Sequence, residues 1–124
     1  MSVAAMQAAR FYEQVVADGV VYSFSSEGSF LVYPVEGQEV VPFWSSRSRL
    51  ETITKSLPKY RAFQFDEIPF QAFSREVLLR LEAEGLLVGI NWSGPRLVGY
   101  NVPVADVRRN LDYWIAKRGA TPEP

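Results

Sequence analysis

Leu86-Leu87-Val88-Gly89-Ile90-Asn91-Trp92, then Ser93-Gly94-Pro95-Arg96, then Leu97-Val98-Gly99-Tyr100-Asn101-Val102, is the stretch from which the fold is read. Its first seven residues are almost wholly apolar, as expected of a strand covered on both faces. Gly94-Pro95 breaks the run, so the following strand turns back against it as a hairpin. A central strand needs a sheet around it, and the upstream sequence supplies one. Val20 to Ser25 and Ser29 to Tyr33 are β-branched and aromatic runs on either side of Ser26-Glu27-Gly28. Glu36-Gly37-Gln38 then leads into Glu39-Val40-Val41-Pro42-Phe43. Three strands in a meander are expected from this pattern. Tyr60 to Phe65 alternates as a further strand.

Helical periodicity fills the remaining segments. Ser2 caps a first helix running to about Ala17, with apolar residues at Ala5, Ala8, Ala9, Tyr12, Val15 and Val16 and a stop at Asp18-Gly19. Ser45 or Ser46 caps a second helix, which carries Leu50, Ile53 and Leu57 and must end before Pro58. Pro69 opens a third, faced by Phe70, Phe73, Val77 and Leu81 and stopped at Gly85. A last helix spans about Val104 to Lys117. The order α-βββ-α-β-α-ββ-α, with short connections and no repeat, predicts an α+β fold: one mostly antiparallel sheet with helices packed on it. Residues 1–118 are expected to form one domain and 119–124 a flexible C-terminal tail.

Composition narrows the chemistry. The 124 residues contain no Cys and no His, which removes disulfides, thiol nucleophiles, Cys/His zinc sites and imidazole catalysis. Thirteen basic against 14 acidic residues make the chain nearly neutral, so no nucleic-acid partner is expected from net charge. The sum hides a segregation. Residues 47–61 hold Arg47, Arg49, Lys55, Lys59 and Arg61 against Glu51, a net of +4, whereas residues 1–46 hold Arg10 against Glu13, Asp18, Glu27, Glu36 and Glu39, a net of −4. The amino-terminal segment lacks a basic and apolar leader pattern, and no run reaches the roughly 18–20 apolar residues of a membrane span. Cytoplasmic residence, no membrane and no cofactor are the corresponding expectations.

Phe11-Tyr12, the turn at Glu27-Gly28, Pro42-Phe43-Trp44-Ser45 and Val88-Gly89-Ile90-Asn91-Trp92-Ser93-Gly94, followed by Gly99-Tyr100, together resemble the bacterial family catalogued as domain of unknown function 2750. The likeness spans roughly residues 11 to 113. It implies a small bacterial α+β domain and no particular reaction.

Two segments are candidates for binding. In Pro42 to Arg49, PFWSSRSR, a Trp leads into a Ser-rich helix start with two guanidinium groups nearby, an arrangement suited to a carboxylate or phosphate. The plainer reading is a helix cap, a core Trp44 and two solvated arginines. In the second segment Asn91, Trp92 and Tyr100 sit around a hairpin end, where they suit a planar ligand or simply pack across strands. No phosphate loop, dinucleotide fingerprint or serine elbow occurs. Carboxylate catalysis by Asp66 or Glu67 stays open, but both residues read as solvated groups at a turn or strand end. The expectation is a noncatalytic protein-interaction domain, acting on a protein partner or on a second copy through an aromatic and arginine surface. Its alternative is a small-anion or metabolite binder at the start of the second helix. The residues concerned are Trp44, Ser45, Ser46, Arg47, Arg49, Asn91, Trp92 and Tyr100, with no catalytic residue and no metal ligand among them.

Overall fold

In the computed structural model of the protein, residues 2–119 are described, and they run as follows. Helix α1 (Val3–Asp18) is followed by β1 (Val20–Ser26), β2 (Ser29–Phe30), β3 (Tyr33–Val35) and β4 (Gln38–Phe43). Then come α2 (Arg47–Ser56), a 3-10 turn (Pro58–Ala62), β5 (Gln64–Pro69) and the helical rod 70–83. The chain closes with β6 (Leu87–Ser93), β7 (Val98–Val102) and α5 (Val104–Gly119). The rod comprises α3 (Phe70–Ala72), a π-helical turn (Phe73–Val77) and α4 (Leu78–Ala83). The α+β class and the helix positions agree with the sequence. Of the expected tail at 119–124, only Gly119, which ends α5, lies inside the described residues.

The expected single sheet is two sheets, ordered β2-β1-β5 and β3-β4-β6-β7. All pairings are antiparallel except β4 with β6, which run parallel. The meander breaks because the run from Ser29 to Tyr33 serves both sheets: Phe30 pairs with Ser25 in β1, and Tyr33 pairs with Val40 in β4. No glycine or proline marks that crossing at Leu31-Val32. One isolated antiparallel bridge ties the sheets together, with Tyr22 and Trp44 exchanging N–H···O bonds of 2.8 Å. The two Glu-Gly turns close their hairpins as read. Glu27 and Gly28 both have positive φ, as do Glu36 and Gly37, which is the geometry of a two-residue hairpin loop whose twist matches the strands.

Three further boundaries differ from the sequence reading. Tyr60 begins no strand: Pro58 starts a 3-10 turn in which the Tyr60 N–H donates to Leu57 O at 3.0 Å and the Phe63 N–H donates to Tyr60 O at 3.2 Å. Asp66 and Glu67 lie within β5 rather than at a turn. Pro69 ends that strand instead of opening the helix.

The larger sheet divides two apolar cores. On one face α1, α5 and the rod bury Phe11, Val15, Phe43, Phe73, Leu78, Val88 and Ile90. On the other, α2 and the 3-10 turn bury Phe24, Val40, Trp44, Leu50, Tyr60 and Trp92. Each fully buried side chain of this size contributes roughly 1.5–3 kcal/mol. Gly19 caps α1 in the left-handed conformation, and its N–H bonds Val15 O. No helix among the described residues is long and apolar enough to cross a membrane.

Candidate functional site

Strand β6 does not alternate as a regular strand would. Val88 and Ile90 face the first core, yet Trp92, two residues on, belongs to the second. The cause is a bulge. Ile90 pairs with Tyr100 and Ser93 with Val98, so two residues of β6 oppose Gly99 alone, and Asn91 takes a positive φ of 45° to make room. Asn is one of the few residues that tolerate that conformation. The bulge throws the Trp92 ring across the sheet, over two glycines. A Cβ at Gly89 would stand 2.7 Å from the ring, and one at Gly99 would stand 2.9 Å from the ring and from Ile90 O. The ring is held there by its Nε1–H, which donates to Asn101 Oδ1 at 2.8 Å.

The same bulge aims Asn91 at the end of β4. Its Oδ1 accepts the Ser45 N–H at 3.0 Å, and its Nδ2 donates to Ser45 Oγ at 3.1 Å and to Gln7 O of α1 at 3.1 Å. Ser45 Oγ is also bonded to Gln14 Oε1 at 2.5 Å. Trp44 Nε1–H donates to Trp92 O at 2.8 Å. The structure thus brings Trp44, Ser45, Asn91 and Trp92 together, all at least nineteen-twentieths buried. They join β4, β6 and α1, and offer almost no surface to a ligand. A buried polar cluster of this kind is worth its cost when every member finds a partner.

The remaining sequence candidates lie nearer solvent. Ser46 occupies the N-cap position of α2 without bonding a backbone N–H, its hydroxyl meeting Ser48 Oγ at 3.1 Å instead. Arg47 is exposed, 3.9 Å from Glu51 and stacked 5.0 Å over the Phe65 ring. Tyr100 is 43% exposed on β7, far less sheltered than its strand partner Ile90.

Arg49 is different from Arg47. It is partly buried, and it has no ion-pair or hydrogen-bond partner among the described residues. Burial lowers its pKa, and the charge of Arg10 on α1 lowers it further. It borders a recess of about 340 Å³ whose other walls are Thr52, Ile53, Ser56 and Leu57 of α2 with Trp92, Ser93, Gly94 and Pro95 of the hairpin end. The two segments singled out in the sequence therefore do meet, along the flank of α2 and not at its start. Sequence reasoning missed Thr52, Ser56 and Arg10. The available signal was the spacing of Arg49, Thr52, Ile53 and Ser56, which places them on one helix face. Chemically, the recess offers a partly desolvated guanidinium, unpaired among the described residues, above apolar walls with hydroxyls at its rim.

Asp66 and Glu67 do not form a carboxylate pair, because neighbouring strand residues leave opposite faces. Glu67 Oε1 accepts from the Tyr22 hydroxyl at 3.2 Å, whereas Asp66 stands opposite Ser23 on the other face. Among the described residues no group of three or more Asp or Glu side chains is placed to hold a metal.

No curated protein matches the chain. Its residues 8–111, from the middle of α1 to Leu111 of α5, match the family described as protein of unknown function (DUF2750). That span takes in both sheets and the Trp44–Ser45–Asn91–Trp92 junction, and the chain belongs to this family.

Proposed function

We propose that this is a noncatalytic binding domain, and that Arg49 takes the carboxylate or phosphate of a small anionic ligand whose apolar body lies against the α2–hairpin recess. The observation that carries it is Arg49 itself: a half-buried cation with no partner among the described residues, near a second cation, at the edge of a recess. Such a group is costly unless an anion arrives, and a guanidinium meets carboxylate or phosphate through paired, charge-assisted hydrogen bonds. The apolar walls formed by Ile53, Leu57, Trp92 and Pro95 favour a ligand with a hydrocarbon or planar part over a bare ion. Of the two tryptophans expected at a contact surface, Trp44 is 1% exposed and takes no part, and Trp92, 4% exposed, offers only the sliver that borders the recess.

Thermal unfolding with inorganic phosphate, benzoate and phenyl phosphate tests the reading. Saturating stabilisation by the two aromatic anions, absent in Arg49→Gln, supports it. Equal and non-saturating effects on both proteins contradict it.

A protein partner or second copy is the second reading. It is supported by Val98 and Tyr100, 63% and 43% exposed on β7, one of the two outer strands of the larger sheet. An apolar unpaired edge invites another strand. Light scattering over a concentration series, with Val98→Lys as the control, separates a self-associating edge from a monomer.

A further inference from the structure

A cleft larger than the Arg49 recess lies elsewhere, between the smaller sheet and the helical rod, with a volume of about 740 Å³. Its floor is apolar, formed by Phe30, Val41, Ile68, Val77 and Leu81. Asp66 enters from β5. Its Oδ2 is fully buried without a hydrogen-bond partner among the described residues. The reason is visible in the register: Ser23, the residue opposite, turns its hydroxyl away to donate to Pro42 O at 2.8 Å. A carboxylate oxygen left in that position lacks a donor among the described residues, and a cationic group entering the cleft would supply one.

The surrounding charges specify the donor. Glu76 of the rod, Glu84 just past its end and Glu67 of β5 also border the cleft, against Arg80 alone, and Arg80 is drawn to Glu84 at 3.6 Å. The cleft is therefore net acidic over an apolar floor. Glu76 and Val77 lie in the π-helical turn, an irregularity that proteins commonly retain where a helix face must be re-aimed for function. Arg108 of α5 braces that turn, donating to Ser74 O at 3.2 Å. Finally, β5 is an edge strand, and its successive residues Gln64 to Ile68 all border the cleft.

We propose that this cleft receives the lysine or arginine side chain of an extended partner segment lying along β5, with the cationic head at Asp66 and the aliphatic stem over Ile68, Val77 and Leu81. Long basic side chains combine these two needs, an apolar stem and a charged tip. An exposed strand edge adds backbone pairing to the side-chain contact. The site shares no wall with the Arg49 recess and does not depend on it.

The test is an NMR titration of the full chain with three probes: the amide-capped peptide Val-Lys-Val, its Val-norleucine-Val counterpart, and hexylammonium. The lysine peptide is expected to shift residues 64–68 and 76–81 to saturation, and to bind more tightly than either other probe. Asp66→Asn is expected to weaken it by about tenfold or more, as loss of a charge-assisted bond implies. Glu76→Gln, on an exposed helix position, is expected to weaken it less and keeps the test decisive should Asp66→Asn not fold. Equal binding of the lysine and norleucine peptides overturns the proposal, as does unchanged binding in both variants. Hexylammonium binding as tightly as the peptide overturns the partner segment as its source.

Discussion

Asn91 and Ser45, 46 residues apart in sequence, close on one another through backbone and side chain: Oδ1 accepts the Ser45 N–H at 3.0 Å and Nδ2 donates to Ser45 Oγ at 3.1 Å. This contact locks the parallel pair β4–β6 at the point where the chain leaves the larger sheet for α2. Asn91→Ala should destabilise the fold by about 2–4 kcal/mol, because it strands the buried Ser45 N–H and puts at positive φ a residue that tolerates that conformation less well than Asn. Asn91→Gly keeps the first cost and removes the second, so it should recover about 1 kcal/mol relative to Ala. Urea denaturation of the two variants side by side checks the order.

Trp92 and the two glycines beneath it form a second testable unit. Gly89→Ala and Gly99→Ala should each cost about 1–3 kcal/mol through overpacking against the ring, and both should alter the near-UV circular dichroism. In the Trp92→Leu background the added cost should largely vanish at Gly89 but persist in part at Gly99, whose Cβ also meets Ile90 O, and double-mutant cycles measure the difference directly. Gly28→Ala, at a position where a Cβ meets nothing, should destabilise only through its φ of +81° and leave the aromatic signal intact.

Tyr33 shares a short hydroxyl contact with Tyr60, and burial together with that bond raises its pKa above the usual 10.0. Burial raises Tyr12 and Tyr22 in the same direction. A raised folded-state pKa means that the unfolded chain loses its protons first as pH rises. Stability is therefore fully present below pH 10 and declines above it, by at most about 1.4 kcal/mol per pH unit for each such group. Tyr33→Phe should flatten that alkaline decline while lowering stability at neutral pH. Urea midpoints taken on both sides of pH 10 check both effects.

Arg49 should be a residue that the empty fold tolerates poorly. Arg49→Gln removes a desolvated charge and its repulsion with Arg10, so the ligand-free variant should melt higher than the wild type at low ionic strength. The difference should shrink as salt screens the pair. A melting temperature that falls on substitution would mean that Arg49 already has a stabilising partner.

Much of this architecture is legible in the residues. Glu-Gly twice gives two hairpin turns, Ser2 and Gly19 bracket α1, and the apolar run after Gly85 is the central strand. Other features are not. The split into two sheets at Leu31-Val32 carries no turn residue, because tertiary pairing with β4 and not local propensity ends β2. Asn91, which tolerates unusual backbone angles, and Gly89 and Gly99, which let a ring approach closely, mark the place of the bulge, but nothing local says that it swings Trp92 to the other core. The bulge at Asn91 decides why Trp44 and Trp92, which look like a contact surface, are core. Arg47 and Arg49 look alike in sequence, yet only Arg49 faces the hairpin end, since the 3.6-residue period turns Arg47 toward Phe65.

The proposed anion site stands or falls on whether Arg49 and the recess respond together. The most direct measurement is an NMR titration with benzoate that follows the Arg49 Nε–H and Trp92 Nε1–H resonances. Saturable, parallel shifts of both in the wild type, with the Trp92 signal unmoved in folded Arg49→Gln, are predicted. Resonances that stay still, or a Trp92 shift that persists without the guanidinium, would contradict an anion held at Arg49.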